Sequence, residues 1–156
     1  MKQLINFKFT FLIAILLLVS EVGMAQKKKV EKNKFLEGKI FNVQFYEMKT
    51  SGRGKALKAD VITKNGKVQC DLMQDKLSLP PVNYTVTQDS VFQQDGEDVQ
   101  LITFEANFKE DKNTYEWQAT ITGYDIEGTV IQKKNDVEKK KYEFSGSEKP
   151  KKAKKK

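Results

Sequence analysis

Histidine is absent from the 156-residue sequence, and cysteine and tryptophan each occur once. The lack of histidine removes the commonest general base, the commonest zinc ligand and every Ser-His-Asp arrangement. The single thiol, Cys70, cannot close an intrachain disulfide, and the single arginine, Arg53, argues against a bidentate phosphate clamp. Glycine-rich phosphate loops are missing too. These absences predict a protein that is not an enzyme and that holds no metal or cofactor.

The first 25 residues have the three zones of a secretory signal peptide. Lys2 and Lys8 give a positive start, residues 9–19 are almost wholly apolar, and Gly23-Met24-Ala25 supplies the small residues that signal peptidase requires. The apolar zone is about half as long as the roughly 20 residues of a membrane-spanning helix. We therefore predict export to the periplasm or the extracellular space, with no transmembrane segment left after cleavage.

Positive charge is concentrated at the two ends of the predicted mature chain. Residues 27–34 carry five lysines and one glutamate, and residues 149–156 carry six lysines. Residues 35–148 carry 15 basic and 19 acidic side chains, so the formal net charge of +7 hides a mildly acidic centre. Dense like charge with few apolar residues cannot offset chain entropy. We therefore predict one folded domain, residues 35–148, between disordered basic segments at 26–34 and 149–156.

Apolar and polar residues alternate with a period of two through most of the chain between Phe35 and Gly146, and no window has an amphipathic helical pattern. Short segments rich in Val, Ile, Phe, Tyr and Thr predict about eight strands. These segments are Lys39–Met48, Ala56–Lys64, Lys67–Met73, Tyr84–Phe92, Val99–Phe108, Thr114–Thr122, Ile126–Gln132 and Lys139–Phe144. The links are too short for helical crossovers, so antiparallel pairing is expected. The sequence predicts an all-β, antiparallel up-and-down barrel, with a two-sheet β-sandwich as the alternative.

Asn65-Gly66 predicts a two-residue hairpin loop, because both central positions of such a turn favour positive φ. The loop sets three pairs of residues opposite each other on one apolar face: Thr63 with Val68, Val61 with Cys70, and Ala59 with Leu72. The same register sets Asp60 opposite Asp71 on the outer face. Cys70 is therefore interpreted as a small buried hydrophobe. Residues 74–83, which contain Pro80-Pro81, are predicted to be an irregular connection.

Several motifs resemble those of the lipocalin-like small barrels found among exported bacterial proteins. They are Gly38 at the opening of the first strand, W-Q-A-T-I-T-G at Trp117–Gly123, I-E-G-T at Ile126–Thr129 and Y-E-F-S-G at Tyr142–Gly146. Gly38 is not followed by the tryptophan of the Gly-x-Trp opening of true lipocalins. The resemblance covers about residues 38–146 and implies a barrel, and it brings no catalytic residues with it.

The inward face of the predicted barrel is the candidate ligand-binding interior. Its members are Phe41, Val43, Phe45, Val61, Ile102, Phe104, Phe108, Tyr115, Trp117 and Phe144. Trp117 is either part of a packed core or one wall of a ligand cavity. An eight-stranded barrel has the size at which side chains fill the interior or leave room for one small ligand.

Two functions are therefore expected from the sequence. The first is an exported non-enzymatic protein that holds a small apolar ligand inside its barrel. The alternative is a structural or interaction module of the cell envelope that has a filled core and contacts anionic polymers or proteins through its lysine-rich tails. The C-terminal tail lysines are Lys149, Lys151, Lys152, Lys154, Lys155 and Lys156. Each contributes about 1 kcal/mol near an anionic surface. The tail has no aromatic residue for base stacking, so specific nucleic-acid binding is not expected.

Overall fold

The structure is a computed structural model that describes residues 33–150. The predicted signal peptide (1–25), residues 26–32 of the first basic segment and residues 151–156 of the tail lie outside the described residues. The strands are β1 Lys39–Lys49, β2 Gly52–Lys64, β3 Lys67–Gln69, β4 Val82–Gln94, β5 Glu97–Glu110, β6 Asn113–Thr122, β7 Asp125–Lys134 and β8 Val137–Glu148. One helix, α1, spans Asp71–Leu77.

The eight strands form one antiparallel sheet that closes on itself in sequence order. The closing seam joins β1 to β8, from Phe41 opposite Glu148 to Met48 opposite Lys141. Because every strand pairs with its neighbours in the chain and the last pairs with the first, the prediction of an up-and-down barrel is confirmed. The β-sandwich alternative is wrong, since a sandwich would leave two separate sheets.

Strand alternation sends one set of side chains into the barrel and the other set to the surface. In β6, Tyr115, Trp117, Ala119 and Ile121 are buried, and the residues between them are at least partly exposed. This is the pattern of an antiparallel sheet with one face on a core and one in solvent. The burial of the apolar face provides the main drive for closure, because closure removes that face from water.

Two-residue turns occur where the sequence has Asn-Gly and Asp-Gly. Asn65 and Gly66 have φ values of 55° and 71°, and Asp95 and Gly96 have φ values of 53° and 83°. Positive φ at both central positions is the geometry that matches the twist of the flanking strands. The first turn sets Thr63 opposite Val68, as the sequence predicts.

The rest of the predicted β2–β3 register is wrong, because β3 ends at Gln69 and α1 begins two residues later. The predicted pairs Val61 with Cys70 and Ala59 with Leu72 are not made, and Asp60 does not face Asp71. Ala59 pairs instead with Val43 of β1, and Asp60 pairs with Asn42. The burial of the predicted apolar face is nevertheless right, since Cys70 is only 4% exposed.

The helix α1 occupies part of the connection that the sequence predicts to be irregular. Met73 and Leu77 lie four residues apart, so they share one face of the helix, and both are buried. Asp71 in the first turn and Lys76 in the last turn complement the helix dipole. The helix ends at Ser78, which is in the left-handed conformation. The sequence pattern did not indicate this helix, because Val68, Cys70 and Leu72 alternate with polar residues and predict that a strand continues to Met73.

A second correction concerns the connection after β1. The sequence predicts that the second strand begins at Ala56, whereas β2 begins at Gly52 and includes Arg53 and Gly54. The turn lies at Thr50 and Ser51. The positive φ of Gly52, 112°, allows the chain to enter the second strand directly from the turn.

Chain segments pack across both ends of the barrel. At one end Leu36 is fully buried, and its carbonyl accepts a hydrogen bond from the Thr63 hydroxyl. At the other end the Leu77 carbonyl of α1 accepts a hydrogen bond of 3.0 Å from the Tyr115 hydroxyl of β6. In the ring β6 is three strands away from β3, so this bond shows that α1 reaches across the barrel end. The interior is therefore shielded from solvent at both ends.

The buried position of Cys70 leads to a testable prediction. Burial raises the pKa of the Cys70 thiol, which lowers the fraction of reactive thiolate. We expect a disulfide-exchange reagent such as dithiobisnitrobenzoate to react at least roughly a hundredfold more slowly with the native chain than with the chain in guanidinium chloride, because reaction requires local opening. Similar rates in the two states would contradict the placement of Cys70 in the core.

Candidate functional site

The predicted interior residues all lie on the inward face of the barrel. Nine of them are buried: Phe41, Val43, Phe45, Val61, Ile102, Phe104, Tyr115, Trp117 and Phe144. The tenth, Phe108, is partly buried and packs against the same cluster. Sequence reasoning thus placed these side chains together correctly, and the presence of an interior ligand stays a prediction.

Three aromatic rings form the centre of this interior. The ring centroids of Phe45 and Phe144 are 4.9 Å apart, those of Trp117 and Phe144 are 5.6 Å apart, and those of Phe45 and Trp117 are 6.4 Å apart. These separations lie in the range of directly contacting aromatic pairs. Phe45 and Phe144 are directly paired in the β1–β8 ladder, and Trp117 reaches them from β6, two and three strands away, so the three rings pack together inside the barrel.

A polar groove of about 510 Å³ lies on the outer wall of the barrel, across β5, β6, β7 and β8. We call it the outer groove. Its side chains occupy two adjacent rows of cross-strand positions that point away from the core. One row holds Thr103, Thr120, Glu127 and Ser145, and the other holds Glu105, Gln118, Thr129 and Glu143. Tyr46 of β1 and Arg53 of β2 border one end of the groove.

Side-chain contacts fix each end of the outer groove separately. At one end Arg53 lies over the Tyr46 ring, with its guanidinium carbon 4.6 Å from the ring centroid, and donates to Glu143 at 3.1 Å. At the other end the Gln118 amide donates to Glu105 at 3.4 Å. These contacts hold the planar polar groups in fixed orientations around the groove.

The outer groove has an excess of negative charge. Three glutamates, Glu105, Glu127 and Glu143, line it together with a single cation, Arg53. Arg53 pairs with Glu143. Within residues 33–150, Glu127 makes no ion pair. The groove therefore presents at least one carboxylate whose charge is available to a positively charged group.

Gly128 forms part of the floor of the outer groove and explains its shape. A Cβ atom at this position would lie 2.2 Å from the Gln118 carbonyl oxygen and 2.7 Å from Cζ of Phe144. The lack of a side chain lets β6, β7 and the Phe144 ring approach one another closely. A glycine inside a strand is a common mark of such a close approach. The groove lies over the backbone at Gly128, and the longer side chains on each side of this position form its walls.

Lys149, the first residue of the predicted lysine-rich tail, contacts the barrel wall. The Lys149 ammonium is 2.5 Å from an Asp60 carboxylate oxygen, and its backbone N–H donates to the Ile40 carbonyl at 2.7 Å. The hydrogen bond from Lys149 lowers the pKa of the Asp60 carboxyl below its ordinary value. The other predicted tail lysines, Lys151, Lys152, Lys154, Lys155 and Lys156, lie outside the described residues.

Residues 33–150 contain no helix that is both long and apolar enough to cross a bilayer. The same part of the chain has no group of three or more histidine, cysteine or acidic side chains arranged to hold a metal ion. Comparison with protein-family models, with curated proteins and with solved structures finds no match. The lipocalin-like resemblance therefore stays a prediction, and the function has to be argued from the geometry alone.

Sequence reasoning missed the outer groove because polar residues on the solvent face of a strand are ordinary. The alternation in β6 predicts that the side chains of Gln118 and Thr120 point outward. It does not indicate that the outward-facing side chains of four neighbouring strands form a concave surface. One available signal is Gly128, which interrupts the strand pattern of β7. An isolated glycine in a strand points to close backbone approach, and the groove lies at that point.

Proposed function

We propose that this chain is a non-enzymatic interaction module of the cell envelope, with a filled barrel core and a binding site on its outer wall. The observation that carries the proposal is the outer groove, a concave polar surface on a barrel whose interior holds the packed rings of Phe45, Trp117 and Phe144. Its volume of about 510 Å³ lies within the range of small-ligand sites. The envelope location rests on the predicted signal peptide.

The chemistry of the outer groove favours a polyhydroxylated ligand that carries an amine. Hydroxyl groups and one amide line the groove alongside the carboxylates: Thr103, Thr120, Thr129, Ser145 and Gln118. Such groups donate and accept hydrogen bonds, as the hydroxyl groups of a sugar require. The carboxylate of Glu127, which makes no ion pair with another residue of 33–150, favours a protonated amine over a neutral or anionic substituent. An amino-sugar segment of an envelope glycan has both properties.

The test compares two soluble oligosaccharides that differ only at nitrogen: a β-1,4-linked glucosamine tetramer and its N-acetylated counterpart. We expect the amine-bearing tetramer to bind about fivefold more tightly at pH 6 by isothermal titration or NMR titration, since a partly exposed ion pair contributes up to about 1 kcal/mol. Double substitution Glu105→Gln with Glu127→Gln should remove most of this difference between the two ligands.

A matched control keeps the loss of charge and moves it away from the outer groove. Glu110→Gln with Glu138→Gln removes two exposed carboxylates that do not line the groove, and this double variant should bind the glucosamine tetramer as the natural chain does. Failure of both tetramers to bind would refute the proposal. Equal weakening by the two double variants would also refute it, because it would mean attraction by overall charge and not by a site.

One observation favours a ligand inside the barrel as a second candidate function. The Trp117 indole Nε1 is buried and has no hydrogen-bond partner within residues 33–150. A buried donor without an acceptor costs about 1–3 kcal/mol. A small, mostly apolar molecule with one acceptor oxygen would satisfy this donor. Native mass spectrometry of the protein purified from its own host separates this candidate from the outer-wall function, because only an interior ligand would be retained when the groove carboxylates are removed.

A further inference from the structure

The outer groove runs across the strands of the barrel wall and not along them. Its two walls are the two rows of outward side chains, and each row takes one residue from each of β5, β6, β7 and β8. Between the rows, Ala119 and Gly128, which pair directly, form the floor together with Phe144. A long ligand that fills the outer groove therefore lies perpendicular to the strands.

The spacing of the strands matches the repeat of a linear glycan. Neighbouring strands lie about 4.8 Å apart, and a pyranose ring with its glycosidic oxygen extends a chain by nearly the same distance. The two walls are separated by two residues along a strand, or about 7 Å, so both can contact one sugar ring. The outer groove therefore offers four positions for sugar units, one over each strand from β5 to β8.

Two carboxylates in the walls make no ion pair within residues 33–150. They are Glu105 of β5 and Glu127 of β7. Glu105 accepts a hydrogen bond from the Gln118 amide, which is a neutral donor and leaves the negative charge uncompensated. Each of these two positions therefore favours a sugar unit with a positively charged substituent.

The other two strands present no uncompensated charge to the outer groove. On β6 the wall residues are Gln118 and Thr120, an amide and a hydroxyl. On β8 they are Ser145 and Glu143, and the Glu143 carboxylate is paired with Arg53 at 3.1 Å. Amide and hydroxyl groups form hydrogen bonds with neutral substituents, such as an N-acetyl group. Charged and neutral positions therefore alternate from β5 to β8.

The separation of the two carboxylates fits alternate sugar units. In one wall Glu105 pairs with Gln118, and in the other wall Glu127 pairs with Thr120. Two strand spacings and an offset of two residues along the strand place the Cα atoms of Glu105 and Glu127 about 12 Å apart. This distance is closer to the length of two sugar units than to the length of one.

We propose that the outer groove selects a glycan segment in which every second sugar carries a protonated amine, with one amine at Glu105 and the next at Glu127. The inference rests on the proposed function, because it requires that the outer groove binds an amino sugar. The unit between the two amines lies over β6 and carries a neutral substituent. The two glutamates thereby act as specificity-determining residues that read the spacing of the amines along the glycan.

The test compares two β-1,4-linked tetramers of the same composition and charge, each with two glucosamine and two N-acetylglucosamine units. In one tetramer the amines alternate, and in the other they occupy the first two units. We expect the alternating tetramer to bind about fivefold more tightly at pH 6 by NMR titration, because it forms two ion pairs where the block tetramer forms one. Either single substitution, Glu105→Gln or Glu127→Gln, should lower the affinity for the alternating tetramer to that for the block tetramer.

Glu143→Gln is the matched control, because it removes a groove carboxylate that is already paired with Arg53. This variant should keep the fivefold ratio between the two tetramers, and loss of the ratio would overturn the assignment of the amines to Glu105 and Glu127. Equal affinities of the natural chain for the two tetramers would also overturn the inference. The proposed function would then still stand if the all-glucosamine tetramer binds more tightly than its N-acetylated counterpart. Failure of every tetramer to bind would refute both.

Discussion

Substitution of Gly146 by alanine should destabilise the barrel by about 3 kcal/mol or more, because the new methyl group has no room. A Cβ atom at this position would lie 2.0 Å from the Asn42 carbonyl oxygen and 2.6 Å from Cα of Val43. Both atoms belong to the backbone of β1, and Gly146 pairs with Val43 in the seam that closes the ring. Relief of the overlap therefore requires β1 and β8 to move apart where the barrel closes.

The melting temperature measured by circular dichroism should fall by about 10 °C or more in the Gly146→Ala variant, given the usual relation for a domain of this size. Ser145→Ala is the matched control, since it changes the neighbouring, outward-facing residue of the same strand. A surface change of this kind should stay within about 0.5 kcal/mol. A Gly146→Ala variant as stable as the Ser145→Ala control would contradict the described approach of β1 and β8.

Substitution of Trp117 by alanine should cost about 3–5 kcal/mol of unfolding free energy, because Trp117 is buried and packs against the rings of Phe45 and Phe144. Trp117→Phe should cost less than about 2 kcal/mol, since it keeps an aromatic ring and removes a buried N–H that has no partner within residues 33–150. Unfolding in denaturant followed by circular dichroism gives these values without relying on tryptophan fluorescence.

Phe92→Ala is the control for the Trp117 substitutions, because Phe92 is an aromatic residue that lies exposed in the strand β4. It should change the stability by less than about 1 kcal/mol. A Trp117→Ala loss below about 1 kcal/mol would contradict a filled lumen and would place the indole against an open cavity.

Most of the barrel could be predicted because its inward-facing residues are mostly apolar and alternate with polar, outward-facing residues. The alternation in β6 and the Asn65-Gly66 turn each act locally, so strand positions and the first hairpin can be read from neighbouring residues. The helix α1 could not be predicted in this way. Its pattern rests on two core residues, Met73 and Leu77, and a run of seven residues is too short to separate a helical period from strand alternation.

The outer groove and the part of β4 that pairs with β5 alone could not be predicted from the sequence, for a different physical reason. Both depend on which strands lie side by side and on where each strand ends. Residues such as Glu105 and Glu127 are far apart in sequence and become neighbours only through two intervening ladders of backbone hydrogen bonds. Likewise, within the described residues β4 pairs with β3 only at Val82 and Asn83, because β3 begins at Lys67, directly after the Asn65-Gly66 turn, and β4 extends past that turn.

Native mass spectrometry of the protein purified from its own host distinguishes a filled barrel core from one that holds a ligand. We expect the mass of the bare chain from Gln26 onward after removal of weakly bound glycan, because in the proposed core the rings of Phe45, Trp117 and Phe144 leave no space for a ligand. A reproducible extra mass that is lost in organic solvent, and that is retained when Glu105 and Glu127 are both replaced by glutamine, would contradict it. That result would assign the working site to the interior of the barrel.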